Sequence, residues 1–264
     1  MEAFKKKRYN LGLVLSGGGA KGFAHAGAIQ SLEEHGLQPD IIAGTSAGAI
    51  VAALYAAGHT PHEIYEMFQH KEFNMFAEFT MPIAGFFNPT RFMDFLHAQL
   101  GVDTFEELAI PVYAIATDLD HGKSVVFNSG ELTPRLMASC CVPVVFAPIV
   151  IDDIHYVDGG IFRNFPVSAI RPLCDTIIGV NASPMVPKKY KQSMLQIAER
   201  TYHYMFRANT VSERKQCDIL VEMKEALQYG TFDLKNVDTI FRMGYEEMNK
   251  RLDQTNLNAF LDKQ

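Results

Sequence analysis

The chain has 264 residues, 48% hydrophobic and 11% aromatic with no tryptophan, and carries a net charge of −6. This composition is expected to build one globular domain over residues 1–264 around a sizeable core. It excludes a general electrostatic pull toward nucleic acid or anionic lipid, and no apolar run reaches the length of a membrane-spanning helix.

In chain order, the basic run Lys5-Lys6-Lys7-Arg8 reads as a solvated tail or a membrane-surface contact. Residues 10–16 predict a strand, followed by a glycine loop and a helix from Gly22 to His35 that Gly36 stops. Residues 40–43 predict a second strand, and Ser46–Ala57 a helix ended by Gly58. Thr60-Pro61-His62-Glu63 opens a helix with a capping box, and Asn88-Pro89-Thr90 opens another. Strands are predicted at 111–118, 123–127, 148–157, 174–181 and 217–222, with a short helix at 133–140. A C-terminal helical part covers 188–262, in two segments at 188–214 and 237–262. In the last segment Phe241, Gly244, Met248 and Leu252 share a face. Alternating strands and helices predict an α/β fold, a three-layer sandwich with a mostly parallel central sheet.

The four cysteines, Cys140, Cys141, Cys174 and Cys217, fit neither zinc-ligand nor disulfide spacing. Free thiols in a reducing, cytoplasmic compartment are the expectation. His59 and His62 lack the partners of a metal site, and neither a metal nor a cofactor is implied.

Two loops carry the chemistry. In IIAGTSAGAI, Ser46 falls between a strand and a helix, with Gly44 and Gly48 two positions to either side. This G-x-S-x-G pattern describes a nucleophile elbow, where crowding demands small flanking residues. In SGGGAKG, Gly17, Gly19 and Gly22 match the dinucleotide fingerprint, and Asp40 lies near the expected ribose-binding distance. The same loop also reads as a nest of amides around Gly17, Gly18 and Gly19 for a developing oxyanion, with Lys21 holding the loop or adding positive potential. The oxyanion reading uses both loops, whereas the nucleotide reading leaves Ser46 idle.

A serine nucleophile needs a base. The last histidine, His203, falls inside a predicted helix beside Tyr202 and Tyr204, an unusual setting for a triad. Asp158 ends a predicted strand before Gly159 and Gly160, which leave its carboxylate uncrowded. Asp118, Asp120, Asp152 and Asp153 are rivals that read more simply as turn residues.

Gly17 to Gly22, Gly44-Thr45-Ser46-Ala47-Gly48, Ala138-Ser139-Cys140-Cys141-Val142-Pro143 and Asp158-Gly159-Gly160 occur in the order seen in patatin-like phospholipases. The chain resembles that family from about residue 10 to 170, and Gly244-Tyr245 resembles its compact bacterial members. The resemblance implies a serine lipid acyl hydrolase with Ser46 as nucleophile, Asp158 as base and amides near Gly18 and Gly19 as the oxyanion site. Lys21 stands where many members carry arginine, and Gly160 where many carry alanine. The substrate class implied is a lipid or acyl ester, with transient contact at a membrane surface. Residues 72–95, rich in Phe and Met, read as core beneath a long loop or as a lid and acyl-chain wall. The competing classes are a nucleotide-binding oxidoreductase, an acyl transferase and a non-catalytic scaffold.

Overall fold

The computed structural model describes residues 8–69, 71, 78, 79, 87–184, 186, 197, 201, 204–231 and 233–255. The expected helix at 188–214 is described only in part, and His203, residues 72–77 and 80–86 and the end of the last predicted helix lie outside the described residues.

The strands are β1 Tyr9–Leu15, β2 Ile41–Thr45, β3 Glu78–Phe79, β4 Phe87–Asn88, β5 Val112–Asp118, β6 Lys123–Phe127, β7 Ile149–Ile151, β8 Ile154–Asp158, β9 Cys174–Asn181 and β10 Ile219–Glu222. The α-helices are α1 Phe23–Glu34, α2 Ala47–Ala56, α3 Pro61–Phe68, α4 Thr90–Leu100, α5 Leu132–Cys140, α6 Gly160–Arg163, α7 Val167–Ile170, α8 Thr210–Arg214 and α9 Val237–Asp253. The main sheet runs β10-β9-β1-β2-β5-β8-β7, with β6 also paired to β5. The pairs from β10 to β5 are parallel, and those joining β5, β6, β7 and β8 are antiparallel.

Alternation along the central strands produces the layers. Leu11, Leu13 and Leu15 point into a large core shared with α1, α2 and α9. Val14, Ile41, Ala43 and Ile177 point to the other face, against Phe165, Val167 and Ile170. Both faces are covered, which is why these strands read as nearly continuous apolar runs.

Local chemistry explains the helix ends. Thr60 Oγ1 accepts from the Glu63 N–H at 3.2 Å while the Glu63 carboxylate accepts from the Thr60 N–H at 2.8 Å, closing the predicted capping box. On α9 Gly244, Met248 and Leu252 of the expected face are buried, together with Ile240, while Phe241 is only partly buried against the core.

The single strand expected at 148–157 is instead a hairpin of β7 and β8. Asp152 and Asp153 form its two-residue turn, both with positive φ (49° and 62°), as the right-handed twist of a tight hairpin requires. An apolar run interrupted by two acids conceals a reversal of direction, and that reversal decides where Asp158 ends up.

Candidate active site

The site assembles along one edge of β5. Ala114 and Ile115 each have partners in β2 and β6. Ala116, Thr117 and Asp118 each have partners in β6 and β8. A strand has two hydrogen-bonding edges, so β6 fills one while β2 and β8 share the other in tandem. β2 runs parallel to β5 and ends with Thr45 opposite Ile115. β8 runs the opposite way and ends with Asp158 opposite Ala116. The two strand ends therefore meet, which brings Ser46, just past β2, and Asp158, the last residue of β8, to the two sides of one seam.

Ser46 occupies the turn from β2 into α2 with φ 54° and ψ −126°, a backbone region costly for a residue with a side chain. The glycines around it leave no alternative. A Cβ on Gly44 would lie 2.5 Å from the Gly48 carbonyl, and one on Gly48 would collide with the Leu15 carbonyl oxygen. The Ser46 N–H donates to Ser139 Oγ at 2.8 Å, and its side chain lines the same cavity as the Asp158 carboxyl.

Asp158 is 2% exposed. Burial pushes its carboxyl up to about 6, against the opposing effect of the nearby Ser46 hydroxyl and of the Gly160 N–H, which donates to it at 2.7 Å. Gly159 lies so close to β5 that a Cβ there would strike the Ile115 carbonyl, and one on Gly160 would strike the Phe206 ring. The rival acids are otherwise engaged. Asp118 pairs with His121 at 2.9 Å and Lys123 at 3.6 Å, Asp120 accepts from the His155 N–H, and Asp152 and Asp153 make the hairpin turn. Among the described residues no histidine hydrogen-bonds Ser46 or Asp158.

The glycine loop follows β1 on the same side of the sheet. The Gly17 N–H donates to the Asn164 carbonyl at 2.9 Å and the Ala20 N–H to the Thr231 carbonyl at 2.7 Å. Among the described residues no acceptor takes the N–H of Gly18 or Gly19. Gly19 has φ 59°, the left-handed conformation that glycine adopts without strain. Gly22 lets the loop close on the elbow, since a Cβ there would lie 2.6 Å from the Ala47 Cβ. Lys21 is 4% exposed and donates from Nζ to the Tyr229 carbonyl at 3.3 Å. Burial and the nearby Arg207 charge lower its ammonium to about 8, with Asp233 acting the other way. Asp40, the candidate ribose contact, instead accepts from the N–H groups of Asn10 and Leu11 at 2.9 and 2.8 Å. That is the start of β1, about 20 Å from the glycine loop at the usual rise per strand residue. The nucleotide reading therefore loses its acid.

Ser46, Asp158, Gly17, Gly18, Gly19, Lys21 and Gly22 all line one cavity of about 540 Å³. Ile50, Val51, Phe68, Phe92, Val145 and Phe146 supply an apolar wall. Of the Phe- and Met-rich segment, Phe92 lines the cavity and Phe87, Phe92, Met93 and Phe95 pack on the large core. The sequence reading gave no role to Ser139, Asn164, Phe206, Arg207 or Thr231. Only Ser139 carried a signal, as part of the Ala138–Pro143 block.

The serine turn and the glycine loop thus open together on one apolar cavity at the strand ends of an α/β sheet. The patatin-like phospholipase family model matches residues 13–170, more than half of the chain, and the chain belongs to that family. An uncharacterized NTE family protein of Mycobacterium tuberculosis is 36% identical over 172 residues, covering 64% of this chain and 46% of that protein. The lysophospholipase NTE1 of Saccharomyces cerevisiae is 26% identical over 271 residues, covering 89% of this chain and 16% of that one. The chain thus spans less than half the length of these curated relatives. Among solved structures, VipD from Legionella pneumophila superposes with a TM-score of 0.54 at 14% identity, covering 94% of this chain and 67% of that one. Human GIVD cytosolic phospholipase A2, in complex with a fluorophosphonate inhibitor, superposes with a TM-score of 0.55 at 11% identity, covering 97% and 60%. These two likenesses concern the fold. Among the described residues no helix is long and apolar enough to cross a membrane.

Proposed function

We propose that this protein is a lipid ester hydrolase that works through a Ser46–Asp158 dyad and an acyl-serine intermediate. One observation carries the reading: Ser46 and the buried Asp158 line one cavity from either side of the seam where the ends of β2 and β8 meet. Asp158 accepts the Ser46 proton as Oγ attacks the ester carbonyl. The tetrahedral oxyanion is stabilised by the N–H groups of Gly18 and Gly19. Collapse expels the alcohol with that proton. Water, deprotonated by Asp158, then adds to the acyl-serine and releases the fatty acid.

A carboxylate is a weak base in water. Removed from water at about 6, it becomes a better proton acceptor and still ionises at neutral pH. The apolar cavity wall fits an acyl chain, and lysophospholipids are the first substrates to test, because a relative carries that activity in its name. Lys21 adds positive potential at the polar end of the cavity.

The test is mass spectrometry after exposure to a fluorophosphonate probe. One adduct is expected, mapped to Ser46 and absent from Ser46→Ala. A folded protein that takes up no probe would refute the proposal.

A further inference from the structure

We infer that Ser139, at the end of α5, is a positioning residue that sets the attack geometry of Ser46. The inference rests on the hydrolase reading above. Ser46 precedes the first turn of α2, so its N–H has no acceptor within that helix. It is also only 7% exposed, and a buried N–H must be paired. Ser139 Oγ is the acceptor, at 2.8 Å, from a residue with no exposed surface at all.

The same turn of chain holds the other half of the site. The Ser139 carbonyl accepts from the Gly159 N–H at 3.3 Å, and the Cys141 carbonyl from the Asp158 N–H at 2.9 Å. The end of α5 therefore touches nucleophile and base together and fixes their register across the seam. This matters because β2 and β8 are not hydrogen-bonded to each other; each is bonded to β5.

Ser46 sits at φ 54°, where the backbone relaxes if released. Without the Ser139 hydroxyl, the Thr45–Ser46 peptide relieves its unpaired N–H by rotating toward the cavity. That rotation carries Ser46 Oγ away from the Asp158 carboxyl. A displacement of about 1 Å in a reacting group is enough to cost on the order of 10²-fold in rate.

The test compares Ser139→Ala and Ser139→Thr with the wild type. Active sites are titrated first with the fluorophosphonate probe, so that rates are expressed per competent site. A purely structural residue would lower the number of competent sites and the thermal midpoint, leaving the rate per site intact. The inference expects the alanine variant to lose about 10- to 100-fold in both kcat and the labelling rate constant per site, with KM unchanged. Threonine, which keeps Oγ, restores most of the rate. If the alanine variant does not fold, Ser139→Cys, similar in size with a weaker acceptor, replaces it under the same reading. Wild-type rates per site in the alanine or cysteine variant would overturn the inference, as would a threonine variant as slow as alanine. A wild-type protein that takes no probe at Ser46 would instead overturn the hydrolase reading itself.

Discussion

Asp158→Asn should remove activity and stabilise the fold at neutral pH. The carboxyl rises from an ordinary 3.8 to about 6 on burial. The folded state therefore binds the proton more tightly than the unfolded state between those values. Its stabilising contribution is complete below pH 3.8 and is lost as pH rises through 6. At about 1.4 kcal/mol per unit, the ionised form costs about 3 kcal/mol at pH 7. Asparagine keeps the shape and an oxygen acceptor for the Gly160 N–H without the charge. Its thermal midpoint at pH 7 should exceed that of the wild type by about 6–12 °C, at roughly 2–4 °C per kcal/mol for a chain near this size. The gap should close near pH 4. Meanwhile the rate should fall by about 10²–10⁴, the usual worth of a general base. The wild-type labelling rate at Ser46 should climb about tenfold between pH 5 and 7, following ionisation of one group near 6. Paired thermal melts and labelling kinetics from pH 4 to 8 measure both effects. A labelling rate that stays flat over that range, or an asparagine variant less stable than wild type at pH 7, would refute the assignment of Asp158 as a buried base.

Other perturbations follow from the packing. Gly48→Ala drives a methyl into the Leu15 carbonyl and should destabilise by about 1–3 kcal/mol or abolish folding; an unchanged denaturation midpoint would contradict the crowded elbow. Gly19→Ala places a side chain at φ 59° and against the Thr231 carbonyl, so kcat should drop by about 10²–10³ through loss of an oxyanion donor, measured at saturating substrate. Phe92→Ala widens the cavity wall and should move the optimum in a series of acyl esters toward longer chains; a uniform loss across the series would make Phe92 plain core.

The elbow was legible because its constraint is local: Gly44 and Gly48 crowd against neighbours only a few residues away in the chain or on the adjoining strand. The layered sheet was legible from its apolar runs, since both faces are covered. Asp158 emerged from its glycine neighbours and motif order, but the reason it reaches Ser46 did not. That reason is the reversal at Asp152-Asp153, which periodicity passed over because apolar residues continue on either side of it. Asn164 and Thr231 were invisible for a different reason. Thr231 acts on the glycine loop through its main-chain carbonyl, which is common to every residue type, and Asn164 acts through its carbonyl and through Nδ2, which donates to the Gly17 carbonyl at 3.4 Å, a pairing of residues distant in the chain.

The carbonyl of Thr231 has a bearing on where this molecule can be cut. It fixes Ala20 in the glycine loop, yet it lies well beyond the span that defines the family, residues 13–170. So do β9, which pairs with β1, and Tyr229, which receives Lys21. A fragment ending at 170 would keep Ser46 and Asp158 while baring one edge of β1 and untying the loop that follows it. The smallest unit that keeps Ser46 and Asp158 beside a braced glycine loop is therefore larger than its signature motifs, and its boundary is set by what braces the loop.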